Sequence, residues 1–375
     1  MISPMKFTAT HSSDFTLALY HCRRYIQDMA ILTIVGSGQM GAAMSYPARD
    51  KGHEVRLVGT HLDRDIIKKA SKTSFHKSLN RKLPGGIRYF QVEELTEALD
   101  GADLLISGVS SFGVDWFIEN VIPEIPESFP VLSATKGMMN TADGKLIPYT
   151  KLYKSGLKNK HISFNAVGGP CTAYELADRD PTHVCFCGDD IRLLRDLKSW
   201  LETPYYRISL STDVMGVECA VAMKNAYALG VSLAVGLSEK VEGEGGKLHY
   251  NSQAALFGQS VKEMRLLLAL FGGREENIVF GVGDLYVTIF GGRTRLIGTL
   301  LGRGLSFEKA MERLKGVTLE SVVITQRTAA AVRKRVDRGT VRASDFPLLL
   351  HIDDIISNGA AVNIPWNKFE SETEL

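Results

Sequence analysis

ILTIVGSGQMGAAMSYPARDKGHEVRLV, residues Ile31–Val58, is the stretch that decides the fold. A short apolar run, Ile31–Val35, meets a glycine turn, Gly36–Gly41. A helix-like segment follows and stops at Gly52, and Glu54–Val58 is a second apolar run. Strand, glycine turn, helix, strand is the context in which a G-x-G-x-x-G pattern binds a dinucleotide. Gly36 allows the tight turn, Gly38 lets backbone approach a pyrophosphate, and Gly41 lets helix and strand pack closely. The helix N-terminus then faces the phosphates. Gly36, Ser37, Gly38, Gln39, Met40 and Gly41 are therefore candidate cofactor-binding residues. Pro47, inside the helical segment, predicts a kink or a shorter helix.

The second strand runs into Gly59, Thr60 and His61. Enzymes that choose NAD place Asp or Glu about 20 residues after the first glycine, on the ribose 2′-OH, whereas NADP calls for an arginine. Here the first acid is Asp63 and the nearest arginine is Arg64. Neither pattern is complete, so NAD and NADP both stay open.

Alternation continues downstream. Strands are expected at Ile87–Gln91, Leu104–Val109, Val131–Ala134, His161–Val167, His183–Cys187 and Tyr205–Ser209. Helices are expected at Val92–Asp103, Ser111–Ile122, within the segment after Pro170, and at Ile191–Leu201. Alternating βα units give a mainly parallel sheet covered on both faces, with ligands at the carboxyl ends of the strands. Two such ends draw interest, Ser110–Phe112 and Thr135–Gly137. The second places Lys136 at the edge of a buried strand. Gly168, Gly169 and Pro170, ahead of a short helix, bring backbone close to a ligand.

From Asp213 the pattern changes. Asp213–Leu237 reads as a long helix, with Ser211, Thr212 and Asp213 as N-cap candidates and Glu218 placed to suit its dipole. It is apolar nearly all round, which marks a buried helix, yet Lys224 and Asn225 sit in its middle. A buried ammonium must be paired, shift its pKa, or face a cavity. Such a lysine either snorkels to water along its apolar stem or donates a proton near neutral pH. Further helices are expected at Asn251–Leu270, Ser306–Leu314, Leu319–Val336 and Ser344–Ile355. Gly281–Gly298 is punctuated by glycines and holds Asp284, Thr288, Arg293 and Arg295. Glu239–Lys247 reads as a charged surface loop. The fold class is α/β: an N-terminal Rossmann-type, mainly parallel sheet domain (29–212) plus a C-terminal all-helical domain (213–370). Residues 1–28 form an N-terminal extension expected to be disordered or loosely docked, with Met29 an alternative start.

Composition narrows the function classes. Of 375 residues, 45% are hydrophobic and 23% charged, as in an ordinary globular protein, and the net charge is +2. Neither nucleic acid nor an anionic membrane is favoured as partner, though a small anion needs only a local basic pocket. No apolar run reaches membrane-spanning length. The five cysteines form no CxxC pair, which argues against a metal site and for a reducing, cytoplasmic setting.

Taken together, GSGQMG, SATKG, GGPCTAYELA, GVECAVAMKNAYALGVSLAVGL, and NSQAAL followed by GVGDLYVTIFGGRTR make the chain resemble the NAD(P)-dependent glycerol-3-phosphate dehydrogenases. The resemblance spans Ile31 to the last helix. It implies an active site between the two domains, NAD or NADP as cofactor, and interconversion of dihydroxyacetone phosphate and sn-glycerol 3-phosphate. It implies Lys224 as catalytic acid/base beside Asn225, with Lys136 near substrate and nicotinamide. Asp284 and Thr288 match the family's GDLxxT block. Arg293 lies toward the phosphate and cofactor, Ala173 toward the cofactor, and Gly169, Cys171 and Thr294 toward the substrate. A homodimer and a small phosphorylated substrate follow from the same source.

Three departures stand out. Thr294 replaces an asparagine, Cys171 replaces Ser or Thr, and Lys315 replaces a cofactor-side acid. Thr and Cys are poorer hydrogen-bond partners than the residues they replace. Thr294 and Cys171 motivate one alternative, a sibling NAD(P)-dependent reductase of another small keto compound; a second, of a different class, is a non-catalytic NAD(P)-binding redox sensor.

Overall fold

The computed structural model describes residues 29–370 apart from 142, 156 and 158–160; the expected extension lies outside the described residues. Eight strands form one sheet: β1 (Ile31–Val35), β2 (Glu54–Val58), β3 (Ile87–Phe90), β4 (Leu104–Ser107), β5 (Pro130–Ser133), β6 (Ser163–Gly168), β7 (Thr182–Cys187) and β8 (Tyr206–Ser211), in the order β8-β7-β6-β5-β4-β1-β2-β3. Within this sheet the β6–β7 pair is antiparallel and the other pairs are parallel. β1 sits mid-sheet, with Ile34 opposite Leu57 on one side and Ile106 on the other. Its residues are apolar apart from Thr33, whose buried hydroxyl donates to Ala98 O, because helices cover both faces.

Those helices are α1 (Gln39–Ala43), α2 (Ser45–Asp50), α3 (Arg64–Thr73), α4 (Leu95–Leu99), α5 (Val114–Asn120), α6 (Tyr149–Ser155), α7 (Ala173–Asp178) and α8 (Ile191–Leu201). The glycine-turn helix is divided, as Pro47 led one to expect. Met44 separates α1 from α2, and Pro47 falls in the first turn of α2, where its missing N–H is not needed. Gly41 has no room for a side chain: a Cβ there would lie 2.0 Å from Gly36 O.

After β8 every regular α- or β-element among the described residues is a helix: α9 (Val214–Glu242), α10 (Tyr250–Phe271), α11 (Ile278–Ile289), α12 (Gly292–Gly302), α13 (Phe307–Arg313), α14 (Glu320–Asp337) and α15 (Pro347–Asn358). α9 is the axis on which the others pack. Asp213 caps it, Oδ1 accepting from Gly216 N at 2.9 Å. It outlasts the expected end at Leu237 by a full turn, so the loop expected at Glu239–Lys247 begins only at Gly243. Arg303 holds that extra turn by pairing with Glu239 and Glu244. α9 has the length and apolarity of a membrane span, more than the sequence reading allowed, but 89% of its most apolar window is buried inside the fold. The glycine-punctuated segment resolves into α11 and α12. α12 touches α9 backbone to backbone: a Cβ on Gly302 would lie 2.2 Å from Leu233 O, and one on Gly236 2.1 Å from Thr299 O.

Candidate active site

Lys224 leaves the middle of α9 and meets α11. Its Nζ donates to Asp284 Oδ1 at 2.6 Å and to Thr288 Oγ1 at 3.1 Å. Asp284 and Thr288 stand one turn apart, and the Thr288 hydroxyl donates to Asp284 O at 2.7 Å. Its lone pair is therefore free to accept from Lys224. Lys136, on the loop after β5, donates to Asp284 Oδ2 at 2.5 Å and to Gly169 O at 2.9 Å. One carboxylate, 1% exposed, thus bridges two ammonium groups that are 13% and 16% exposed. An ammonium has three N–H donors. Two are spent on each lysine, and both lysines line the cleft.

Burial, first of all, pushes the Lys224 ammonium below the usual lysine range. Asp284 opposes that by its charge, and more weakly by its hydrogen bond, while the Lys136 charge reinforces it and the Glu320 charge opposes it. A lysine balanced in this way exchanges its proton closer to neutrality than a solvated one. Burial pushes the Cys171 thiol up to about 12, so it stays a neutral thiol.

The cleft has two joined lobes. One, of about 340 Å³, lies between Lys224, Asn225, Asp284, Thr288, Arg293 and Thr294. The other, of about 510 Å³, runs from Gly38, Gln39 and Met40 past Ser110 and Ala173 to Lys136 and Lys224. Cys171, Arg293 and Glu320 border both. Beyond Gly38 a further pocket is walled by Gly36, Thr60, His61, Phe112 and Trp116, the rings of His61 and Trp116 being 5.5 Å apart. These residues fit a dinucleotide. Gly36 turns with φ +100°, and a Cβ on Gly38 would meet nothing nearer than Gly108 O at 4.0 Å, which leaves its backbone bare toward the cleft.

Three expected site residues line neither the two lobes nor the pocket beyond Gly38. Ser37 is fully buried, its N–H donating to Asp63 Oδ2 at 3.1 Å and its carbonyl bonded to His76 Nε2 at 2.7 Å. Gly41 is taken up by packing on Gly36. Gly169 serves through its carbonyl, which holds Lys136. Asp63 Oδ2 also accepts from Thr60 N and Thr60 Oγ1, both at 2.9 Å, so this acid props the glycine turn. Arg64 is paired with Glu93. Both residues that the sequence offered for cofactor choice thus already have partners. Lys315 is exposed and lies outside both lobes. The sequence reading missed Tyr174, Phe290, Thr318 and Glu320 on the walls. Tyr174 and Phe290 lie inside the blocks GGPCTAYELA and GVGDLYVTIFGGRTR but carried no signal of their own there; Thr318 and Glu320 belong to no block, and only the fold brings them in. No group of three or more His, Cys, Asp or Glu suited to a metal occurs among the described residues.

Residues 31–193 match the family described as NAD-dependent glycerol-3-phosphate dehydrogenase N-terminus, and residues 213–366 match its C-terminus counterpart. The NADP(+)-dependent glycerol-3-phosphate dehydrogenase of Archaeoglobus fulgidus is 32% identical over 289 residues, covering 76% of this chain and 84% of that one. The glycerol-3-phosphate dehydrogenase [NAD(P)+] of Koribacter versatilis is 28% identical, covering 82% and 88%. In fold, the crystal structure of glycerol-3-phosphate dehydrogenase from Coxiella burnetii superposes with a TM-score of 0.75 at 22% identity, over 91% of this chain and 98% of that chain.

Proposed function

The chain belongs to the NAD-dependent glycerol-3-phosphate dehydrogenase family, and on that premise we propose how its residues interconvert dihydroxyacetone phosphate and sn-glycerol 3-phosphate. It is an NAD(P)-dependent oxidoreductase acting on a CH–OH group. When bound, the nicotinamide cofactor supplies the hydride chemistry at substrate C2. Lys224 supplies the proton. In reduction its ammonium donates to the ketone oxygen as negative charge develops there; in oxidation neutral Lys224 takes the proton back. Asp284 orients Lys224, and Lys136 adds positive field. Arg293, beside Thr294 at the N-terminus of α12, holds the phosphate dianion. Binding at that remote group positions the reacting carbon. Gly38, Gln39, Met40 and Ala173 hold the cofactor along the second lobe.

The observation that carries these roles is Lys224, half-way along an apolar helix, with its nitrogen on Asp284 inside the cleft. A redox sensor has no use for such a lysine, and a reductase of unphosphorylated ketones has none for Arg293 at that helix end. We also place the division of labour at Asp213, with residues 29–212 as the cofactor domain and 213–370 as the substrate domain. A cytoplasmic homodimer completes the proposal. Support for the dimer comes from Val279 and Tyr286, which are 60% and 57% exposed on α11. The test is an initial-rate assay with dihydroxyacetone phosphate and NADH or NADPH in turn. Substrate-dependent loss of the reduced-nicotinamide absorbance is expected; none with either cofactor would sink the reading.

A further inference from the structure

Lys136 comes from the sheet half, yet its ammonium binds Asp284 of the helical half. On its N-terminal side the chain is fastened to the sheet, where the Thr135 hydroxyl donates to Val109 O at 2.7 Å. On its C-terminal side Met138–Asn140 and Leu146–Pro148 form an antiparallel hairpin that leads into α6. Chain order gives this hairpin to the sheet half, but packing gives it to the other. Met138 and Leu146 are buried in the same apolar core as Ala222, Met223 and Ala226 of α9. Further along the hairpin, Arg335 on α14 donates to Gly144 O at 2.6 Å, and Arg338 at the end of α14 donates to Asp143 O at 3.3 Å.

The hairpin starts two residues beyond Lys136, and Arg327 grips it there. Met138 lies opposite Pro148, which has no N–H, so the Met138 carbonyl receives no ladder bond from its opposite residue. Arg327, half-buried on α14, supplies the missing donor. Its Nη1 donates to Met138 O at 2.9 Å and to Tyr149 Oη at 3.2 Å. Gly137 passes close by with φ +144°, and a Cβ there would lie 2.6 Å from the Tyr149 ring. One guanidinium therefore fixes both the backbone just past Lys136 and the ring against which that backbone turns. An ammonium on a flexible four-carbon stem keeps its place on Asp284 only while its own backbone stays put.

We propose that Arg327 is a positioning residue: by clamping the Met138 carbonyl and the Tyr149 hydroxyl to the helical half, it holds the Lys136 ammonium on Asp284 beside Lys224. It acts through Lys136 and carries no proton itself. The inference rests on the reading given under Proposed function, in which Lys136 adds positive field at the reacting centre.

A double-mutant cycle on the full chain tests it. Arg327→Met, Lys136→Met and the double variant are assayed for reduction of dihydroxyacetone phosphate, with NADH binding by fluorescence as the check on folding. Arg327→Met should lower kcat about tenfold while NADH affinity stays within about twofold. In the Lys136→Met background the same change should alter kcat by less than about twofold, because the group it positions is already gone. Arg327→Lys keeps a cation but loses the fork that spans both acceptors, and should lower kcat about threefold; it takes the place of Arg327→Met in the cycle if the methionine variant fails to bind NADH. The pH profile gives a second readout. Of the charges that face Lys224, Asp284 and Glu320 favour its ammonium and Lys136 disfavours it. A displaced Lys136 lets that ammonium persist to higher pH, so the upper pH limit of reduction should rise in Arg327→Met as in Lys136→Met. Effects of the two substitutions that multiply, or a pH limit unmoved in Arg327→Met, overturn the proposal. An unimpaired Lys136→Met removes the role of Lys136 and this inference together. If wild type does not turn over the triose, the functional reading falls and takes this inference with it; if it does, multiplying effects sink this inference alone.

Discussion

Lys224 owes its place to two opposed effects, of which burial is the larger. Burial disfavours its charge, while Asp284 and, more weakly, Glu320 offset part of that effect. Lys224→Met keeps the apolar stem and removes the ammonium. We expect kcat to fall about 10³-fold while NADH still binds, as titrated by fluorescence. If turnover stays near that of wild type, the proton has another source. Asp284→Asn keeps the shape and removes the charge that opposes burial, so the Lys224 pKa drops further. Reduction, which needs the ammonium, should then decline at a lower pH than in wild type, and oxidation, which needs the amine, should set in at a lower pH. Superposable pH profiles of kcat would remove Asp284 from that role. At this scale the sequence was partly legible. A lysine inside an apolar helix is a visible anomaly. Glu320, one of several acids at a helix start, had no such signature.

Among the elements, α9 does more than carry Lys224. Glu218, expected to serve the dipole of its own helix, is 3% exposed and turned onto α6. It accepts from the Thr150 hydroxyl and from the backbone N–H groups of Tyr149 and Thr150, so it caps the start of a helix in the sheet half of the molecule. Burial outweighs these bonds and pushes its carboxyl up to about 8. In the folded protein Glu218 therefore keeps a proton that the unfolded chain releases above about 4.5. The folded state binds more protons across that window, so stability falls as pH rises from about 5 toward about 8. Buried Glu263, pushed up to about 7, adds to the trend with the same sign. Urea midpoints at pH 6 and pH 8 should differ in wild type, and Glu218→Gln should shrink the gap. A gap left intact by that substitution would show that Glu218 is already ionised at pH 6. The existence of these helices was readable from apolar period and caps. Which helix a buried acid would cap was not, because Glu218 and Thr150 lie 68 residues apart.

At the scale of the whole molecule, the cleft is built from both halves. Lys136 and Gly169 come from the sheet half, and Lys224, Asp284 and Arg293 from the helical half. A cofactor lying along the second lobe touches both, so it should stabilise the entire chain and not one half alone. At about one hundred times its dissociation constant, NADH or NADPH should add about 2.7 kcal/mol to unfolding stability in one cooperative transition. Differential scanning fluorimetry with far-ultraviolet circular dichroism checks this. Two separate transitions, only one of them moved by the cofactor, would contradict it.

Local sequence determined the strand–turn–helix unit at Ile31–Val58, the alternation that makes a mainly parallel sheet, and the long buried helix that bears Lys224. Each follows from nearest-neighbour rules: turn geometry, apolar period and capping. Tertiary structure alone decided that one carboxylate would hold two lysines 88 residues apart in the chain, Lys136 and Lys224. It also turned Ser37 and Asp63 inward to brace the glycine turn and swung Glu320 onto the cleft. Those outcomes depend on where distant backbones cross, and a side chain's neighbours in space are set by packing rather than by its neighbours in sequence.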